Sequence, residues 1–316
     1  MLDLSIIIVN YNTLELTMKC LESVFKYTKG VTFEVIVVDN ASADKSTVEI
    51  KKKYRSKVQL IKNKENVGFG AANNQAMNIA QGRYFCLLNS DTVLIGNVFE
   101  RMIEWFDQNT FLPVRSSFKI GTHSFSASSI PLNTLKRLPI GMLGCKLLNS
   151  DRTEQYSIGY FPTLQHIFMR LFFDRIPKRM PQKAVETDYV MGAFMLMKRE
   201  VFERAGGFDE NIFMYVEETE WCYRIKQQGF TVVYWPEASL IHYGGQSAVR
   251  GRRDQVLNIF KGYLYFYKKH FRPDQVAVLR LILRAKSYFS IVVGKITHNR
   301  YLQDTYSEAL QVIKES

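Results

Sequence analysis

Three residues that could bind a ligand stand at the ends of predicted strands: Asn10 after the first, Asp39 after the second and Asp91 after the fourth. One acid after a strand is commonplace and often serves a turn or a cap. In an open parallel sheet, however, ligands bind at the carboxyl ends of the strands. Several polar residues converging on that edge therefore predict a site there.

A run of carboxylates, Glu217, Glu218 and Glu220, opens a helix predicted over 217–228. At 100° per residue, Glu218 falls in the middle of the apolar face of that helix. A carboxylate facing inward is costly unless it has a partner or a chemical role, and the first helical turn favours its ionised form. Glu218 is therefore the stronger functional candidate and Glu217 the second. Glu220 and Arg224 have the i,i+4 spacing of a solvated ion pair.

His242 follows a strand inside an apolar stretch, where a lone histidine is more often a satisfied core residue than a ligand. With Asp91 as an oxygen ligand, the metal interpretation gains weight. A divalent cation bound by carboxylate, imidazole and substrate phosphate oxygens is chemically reasonable.

The glycines of Gly68–Asn73 resemble a dinucleotide-binding fingerprint only superficially. The third glycine is missing and the motif does not follow the first strand, which disfavours a hydride-transfer enzyme. The glycines still allow a helix N-terminus to approach a ligand closely.

Strands and helices that must position these residues alternate over the first ninety positions. This order predicts an α/β fold with a mostly parallel, twisted sheet flanked by helices. The apolar runs predict strands over 4–9, 33–38, 58–61, 83–88, 142–148, 189–197 and 231–234. The periodicity predicts a first helix that begins at residue 14 and further helices over 66–80, 199–205, 217–228 and 254–270. It predicts one or two more helices over 274–315.

Composition bounds the class of protein. The chain has 316 residues, 47% hydrophobic and 23% charged, which excludes disordered, collagen-like and coiled-coil architectures. Its four cysteines form no CxxC pair, so a zinc ribbon is excluded, and we predict buried thiols in a reducing compartment. The sequence shows neither a signal peptide nor an apolar run of about 18 residues, so we expect a cytoplasmic protein without a membrane span.

An ordered set of motifs resembles family 2 of the glycosyltransferases, and within it the bacterial rhamnosyltransferase-like branch. Each motif alone is weak, but together they follow the family's order over about residues 3–270. They are Ser5–Asn12, Val37–Ser42, Asn66–Asn73, Leu87–Thr92, Gly192–Arg199, Gly206–Asp209, Glu217–Arg224 and His242–Gly245.

The resemblance implies a GT-A fold, with a sugar transferred from a nucleotide-diphosphate donor and inversion at its anomeric carbon. Asp39 would contact the base or ribose of the nucleotide. The donor-binding positions implied by the motifs are Asn10, Asp39, Asn66, Gly68, Asn73 and Asn89.

The same resemblance places Mg²⁺ or Mn²⁺ on Asp91 and His242, with the diphosphate of a dTDP-sugar or UDP-sugar. Glu218 would hold the general-base position, with Glu217 beside it. Two departures from the family pattern stand out, because the DxD-type motif begins with Asn89 and the base is Glu where Asp is commoner.

Domain organisation follows from charge and composition. We expect a GT-A domain over 1–250, with a long loop insertion over 113–139, and a basic, amphipathic helical extension over 251–316. From residue 245 onward the chain carries 13 Lys/Arg against 5 Asp/Glu, most of the net charge of +12. That excess of positive charge favours an anionic membrane surface as the partner of the C-terminal region. The alternative is that these helices form a homodimer. Nucleic acid is a poorer account because no nucleic-acid motif accompanies the charge.

Three functions remain open. The first is an inverting, metal-dependent glycosyltransferase of bacterial surface polysaccharide synthesis, using dTDP-L-rhamnose and a glycan or lipid-linked glycan acceptor. The second is a catalytically weak sugar-nucleotide-binding or scaffold protein of a glycan assembly complex. The third, a sugar-1-phosphate nucleotidyltransferase, lacks the expected Gly-rich basic loop after the first strand.

Overall fold

The computed structural model describes residues 2–111, 117–120, 123–126, 138–173, 180–244 and 251–316. The strands are β1 (Leu4–Asn10), β2 (Phe33–Asp39), β3 (Gln59–Lys62), β4 (Tyr84–Leu88), β5 (Thr92–Leu94), β6 (Ser117–Ile120), β7 (His123–Ser126), β8 (Ile140–Leu148), β9 (Glu154–Gln155), β10 (Ile158–Gly159), β11 (Val185–Thr187), β12 (Tyr189–Val190), β13 (Phe194–Lys198) and β14 (Thr231–His242). The helices are α1 (Leu14–Tyr27), α2 (Ser46–Tyr54), α3 (Phe69–Ile79), α4 (Val98–Gln108), α5 (Leu164–Phe173), α6 (Arg199–Ala205), α7 (Glu217–Gln227), α8 (Gly251–His270), α9 (Pro273–Ile296) and α10 (Arg300–Glu315).

One large sheet organises the molecule, with its main strands in the order β11-β14-β8-β13-β4-β1-β2-β3. The run β3-β2-β1-β4 is parallel throughout, which confirms the prediction for the first four strands. β13 then runs antiparallel to both β4 and β8, while β14 lies parallel to β8. The predicted insertion over 113–139 falls mostly outside the described residues, apart from the antiparallel pair β6 and β7.

The sheet is covered on both faces, which explains why its strands read as continuous apolar runs. Ile6 and Ile8 pack into one core cluster and Ile7 into another, because successive side chains of a strand point to opposite faces. All four cysteines are buried and free, as predicted.

The C-terminal helices α8, α9 and α10 pack together around a third apolar cluster. That cluster also contains Ile167 of α5 and Val216, which immediately precedes α7. The extension is therefore packed against the residues that open the carboxylate-bearing helix. None of the helices in the described part of the chain is long and apolar enough to cross a membrane.

Glu220 lies at the contact between α7 and α8, and the prediction that it is solvated was wrong. Its side chain is fully buried. Arg224 Nε donates to both carboxylate oxygens at 2.9 and 3.0 Å, as the spacing predicted. Lys269 Nζ donates to Oε1 at 2.7 Å, and His270 Nε2 lies 3.1 Å from the same atom. Burial alone would raise the pKa of Glu220, but the His270 hydrogen bond and the charges of Arg224 and Lys269 outweigh it and lower that pKa.

We predict that Glu220→Gln lowers the free energy of unfolding by about 3–5 kcal/mol, because it removes the buried anion that pairs with Arg224 and Lys269. A carboxyl whose folded-state pKa is lowered stabilises the fold above its unfolded pKa and loses that contribution as pH falls through the folded value. The deficit of the variant should therefore be full at neutral pH and shrink in acid. Denaturant unfolding at several pH values measures it.

The matched control is Glu200→Gln in α6, which breaks another i,i+4 pair, with Arg204 at 3.5 Å. Both side chains of this pair are largely exposed, so we expect a change of about 0–1 kcal/mol. Equal losses in the two variants would contradict the role given to the Glu220 ion network.

Candidate functional site

A cavity of about 520 Å³ opens at the carboxyl ends of β1 and β4. Val9 and Tyr11 line it from the first strand, and Ser90 lines it from the turn after the fourth. The cavity therefore occupies the sheet edge that the sequence predicted. Its walls include these predicted site residues: Asn66, Asn89, Asp91, Glu217, Glu218 and His242.

Strand pairing brings Asp91 and His242 together although they lie far apart in sequence. β5 pairs antiparallel with the end of β14, so that Thr92 is opposite His242. The backbone N–H of Tyr243 donates to the Asp91 carbonyl at 2.9 Å. As a result His242 Nε2 lies 3.3 Å from Asp91 Oδ1, and both side chains are nearly buried.

Gln155 of β9 determines which His242 nitrogen can bind a cation. Its amide nitrogen donates to Asn149 Oδ1 at 3.0 Å and to the His242 carbonyl at 3.3 Å. This leaves Gln155 Oε1 as the acceptor for His242 Nδ1, at 2.6 Å. Neutral imidazole carries one N–H, so Nε2 presents a lone pair toward the Asp91 carboxylate.

The arrangement fits a divalent cation. Asp91 Oδ1 is buried and has no hydrogen-bond partner among the described residues, and His242 Nε2 lies 3.3 Å from it. No cluster of three or more His, Cys, Asp or Glu suited to a metal occurs in the described ranges. Asp91 and His242 would therefore supply two ligands, and phosphate oxygens and water the others, as Mg²⁺ and Mn²⁺ accept.

A strained turn aims Glu217 and Glu218 into the cavity from the other side. Tyr215 and Val216 have φ of 66° and 74°, in the left-handed region that a β-branched residue rarely adopts. The turn starts α7 so that its first two carboxylates line the cavity. Glu217 Oε2 and Glu218 Oε2 are buried without a hydrogen-bond partner in the described part of the chain. Strain at such a turn is a feature of functional sites.

The surroundings of the two carboxyl groups shift their pKa values to different extents. Burial and the charge of Glu218 raise the pKa of Glu217 well above its ordinary value. Burial also raises the pKa of Glu218, but a backbone hydrogen bond and the charge of Arg170 oppose that rise. The pair therefore titrates together, and the charge of Arg170 favours ionisation at Glu218 over ionisation at Glu217.

Asn10 and Asp39 are fully buried and bonded to each other. Asn10 Nδ2 donates to Asp39 Oδ1 at 2.7 Å, and Asn10 Oδ1 accepts from the hydroxyls of Thr13 and Thr17 at 2.8 and 2.6 Å. Thr13, the N-cap residue of α1, therefore bonds Asn10 and makes no side-chain cap bond to α1. Neither Asn10 nor Asp39 is among the described residues that line the cavity, and their predicted contact with a nucleotide stays a prediction.

Asn40 connects the donor-side motifs. Its amide donates to Asn66 Oδ1 at 2.7 Å and to the Gly68 carbonyl at 3.2 Å. Gly68 has φ of 89°, and a Cβ there would lie 2.6 Å from the Phe213 carbonyl oxygen, so glycine is required. Asn73 holds the same loop by donating to the Phe69 carbonyl at 2.9 Å. Gly68 and Asn73 support the cavity wall without lining it, as far as the described residues show.

Two cavity residues, Asn40 and Gln255, and the His242 partner Gln155 escaped the sequence reasoning. Asn40 lies inside a recognised motif, so a signal was present. Gln155 stands in a polar stretch with no motif, and Gln255 lines the cavity from α8, in a region without family motifs. Only the three-dimensional packing of β9 and α8 reveals these two glutamines.

Comparisons with known proteins agree with this geometry. Residues 5–206 match the model of glycosyl transferase family 2. An N-acetylglucosaminyl-diphospho-decaprenol L-rhamnosyltransferase of Mycobacterium tuberculosis is 24% identical over 249 residues, which cover 75% of each chain. An uncharacterized protein, y4gI, of Sinorhizobium fredii is 25% identical over 264 residues, covering 79% of this chain and 25% of that protein. The chain thus corresponds to only a quarter of the length of the second relative.

The fold is shared with a solved mannosyltransferase, PcManGT from Pyrobaculum calidifontis, in complex with GDP-Man and Mn²⁺. The TM-score is 0.55 at 15% identity, covering all of this chain and 76% of the other. The predicted α/β architecture with its helical flanks is therefore confirmed as that of a GT-A glycosyltransferase.

We predict that Glu217→Gln raises the free energy of unfolding at neutral pH. The folded-state pKa of Glu217 is raised, so between the unfolded and folded values the folded chain holds a proton that the unfolded chain has lost. Stability of the native protein therefore falls as pH rises through that window, and glutamine has no proton to lose. The gain should vanish below the ordinary pKa of glutamate, as unfolding curves at acidic and neutral pH can show.

Glu220→Gln is the control in the same helix, because it must change stability in the opposite direction. A Glu217→Gln variant that is less stable than the native chain at neutral pH would show that Glu217 is ionised in the fold.

Proposed function

The chain belongs to glycosyl transferase family 2, and we propose that it transfers L-rhamnose from dTDP-L-rhamnose, with inversion, to a glycan or lipid-linked glycan acceptor in bacterial surface polysaccharide synthesis. The observation that carries this proposal is that Glu218 and the Asp91–His242 pair line one cavity. The mycobacterial relative is an N-acetylglucosaminyl-diphospho-decaprenol L-rhamnosyltransferase, which supports both the sugar and a lipid-diphosphate acceptor.

The donor would lie across the sheet edge. Its diphosphate would approach Asp91 and His242, and the nucleotide would lie toward Tyr11, Asn40 and Asn66, which line the same cavity. A bound Mg²⁺ or Mn²⁺ on Asp91 and His242 would neutralise charge on the diphosphate leaving group. The Mn²⁺ in the mannosyltransferase complex supports such a cation.

Glu218 is the proposed general base. It removes the proton of the attacking acceptor hydroxyl, whose oxygen bonds to the anomeric carbon as the bond to the diphosphate oxygen breaks. A base on the face opposite the leaving group gives inversion without a covalent intermediate. The raised pKa of Glu218 brings the carboxylate closer to the pH at which a hydroxyl proton is transferred efficiently. Glu217, which holds its proton longer, would donate a hydrogen bond within the cavity.

We predict that Glu218→Gln reduces the turnover rate by about 10²–10⁴-fold while donor binding is kept. For the native protein, turnover should fall in acid at a pH above the ordinary pKa of glutamate, because the pKa of Glu218 is raised and protonation inactivates the base. Release of dTDP from dTDP-L-rhamnose in the presence of an acceptor measures turnover. Thermal stabilisation by dTDP with Mn²⁺ measures donor binding.

Glu217→Gln is the matched control, since it changes the neighbouring carboxyl and should keep most of the turnover. Full turnover in Glu218→Gln would contradict the base role. Stronger stabilisation by UDP, GDP or CMP than by dTDP would still support a glycosyltransferase, but one whose donor carries a different nucleotide. No stabilisation by any of these nucleotides would favour the scaffold alternative.

Gln155 offers a test of the metal ligands that needs no turnover. We predict that Gln155→Leu weakens Mn²⁺ binding in the presence of dTDP by about 10–100-fold, the usual cost of losing the partner of a ligating histidine. Gln155→Glu keeps an acceptor oxygen for His242 Nδ1 and should retain tight binding. Electron paramagnetic resonance of free Mn²⁺ measures both variants. Equal Mn²⁺ affinity in native and Gln155→Leu proteins would remove Gln155 from the site.

A lipid-linked acceptor requires access to a membrane. The basic C-terminal helices, together with their packing against Val216 at the start of α7, support a location on an anionic membrane surface.

A further inference from the structure

α9 presents a stripe of apolar side chains to solvent. The inward face of this 24-residue helix is buried at Leu279, Leu283 and three further positions. The opposite face exposes large apolar side chains, with Leu281 at 67% and Ile296 at 74% of their full surface. At 100° per residue these exposed side chains fall within an arc of about 100°. The exposed apolar residues of the stripe are Val278, Leu281, Tyr288, Phe289, Val292 and Ile296.

The stripe continues onto α5. The centre of the Phe172 ring lies 6.2 Å from that of Phe289, and the Phe168 ring is tilted against Phe172 with its centre 4.9 Å away. Phe168 and Phe173 are themselves 42% and 59% exposed. The stripe of α9, with Phe168 and Phe173, forms one surface, called here the docking face. A contiguous exposed apolar surface of this kind marks an interaction site.

The charges around the docking face have one sign. Between Asp274 and Asp304 the chain contains no acidic residue, and its basic residues there are Arg280, Arg284, Lys286, Lys295 and Arg300. Arg284 and Lys295 are exposed at the border of the stripe, whereas Lys286 packs over the rings of Phe172 and Tyr306. The occupant of this face must therefore offer an apolar interior and a negative surface.

We propose that the docking face binds the surface of an anionic lipid bilayer, with α9 lying in the plane of the headgroups. An amphipathic helix with basic borders and aromatic side chains binds membranes in this way. Tyr288 and Phe289 supply the aromatic rings that favour the interface. A second copy of this chain fits less well, because a symmetric contact would bring the basic borders of both stripes together.

The position of the docking face connects it to the cavity. Leu279 and Leu283, on the inward side of α9, belong to the same apolar cluster as Val216, which precedes Glu217. The inward side of α9 and the start of α7 thus share one apolar cluster. That the bilayer presents a lipid-linked acceptor rests on the proposed function, whereas binding itself does not.

The test is co-sedimentation of the full chain with vesicles of equal parts phosphatidylglycerol and phosphatidylcholine, and with vesicles of phosphatidylcholine alone. The native protein should sediment with the anionic vesicles and far less with the neutral ones. The triple variant Leu281→Ser, Phe289→Ser and Ile296→Ser should lose sedimentation by at least tenfold. The double variant Arg284→Gln and Lys295→Gln should lose about tenfold to thirtyfold at low salt.

The matched controls lie on α2, where Val48 is 61% exposed and Lys51 and Lys52 are exposed. Val48→Ser and the pair Lys51→Gln and Lys52→Gln should sediment like the native protein. Unchanged sedimentation of both docking-face variants would overturn the proposal. The proposal would also be overturned if the native protein were a dimer that does not bind vesicles and became a monomer in the triple variant. That result would assign the face to a second copy of the chain. Stabilisation by dTDP with Mn²⁺ is measured without vesicles, so failure of docking is distinguishable from failure of the proposed function.

Discussion

The ion network of Glu220 is the interaction on which the geometry of the cavity depends. Its carboxylate is fully buried and is bonded by Arg224 within α7 and by Lys269 and His270 of α8. Removing one member of such a network leaves buried charge uncompensated, which is strongly destabilising. The network therefore fixes the position of α7 relative to α8. Glu217 and Glu218, on the first turn of α7, have no comparable anchors of their own. They stay in the cavity wall because the turn that follows them is fixed.

The turn before α7 makes the C-terminal helices part of the site. Two consecutive residues with positive φ, Tyr215 and Val216, cost about 1–3 kcal/mol each unless the surroundings hold them. Val216 packs into the cluster formed by α8, α9 and α10. Gly262 of α8 permits that approach, since a Cβ there would lie 2.9 Å from the Val216 side chain and 3.0 Å from the Tyr215 carbonyl oxygen. The C-terminal helices therefore hold the turn from which Glu217 and Glu218 enter the cavity.

Sequence reasoning was reliable where a local pattern carries the information. The parallel strands β1 to β4, the bounds of α6 and the position of Asp91 at the carboxyl end of β4 follow from periodicity and strand ends. It failed for Glu220, because spacing to Arg224 shows an ion pair but cannot show Lys269, some fifty residues later, closing over it. It could not find Gln155, whose role arises only from the pairing of β9 with β8 beside His242. Helices α2, α4 and α5 also went unpredicted.

Burial acts on all three carboxylates of α7, and the cations beside them decide the outcome. Glu220 receives Arg224, Lys269 and His270, so its pKa falls despite full burial. Burial raises the pKa of Glu217, and the charge of Glu218 raises it further. The pKa of Glu218 lies between these cases, because the charge of Arg170 offsets part of the rise that burial causes. Within one helical turn the fold thus holds one carboxyl whose pKa is lowered, one whose pKa is raised well above its ordinary value, and one in which Arg170 opposes that rise. This gradient, which follows from where α8 and α5 place their basic side chains, separates the structural acid from the proposed catalytic base.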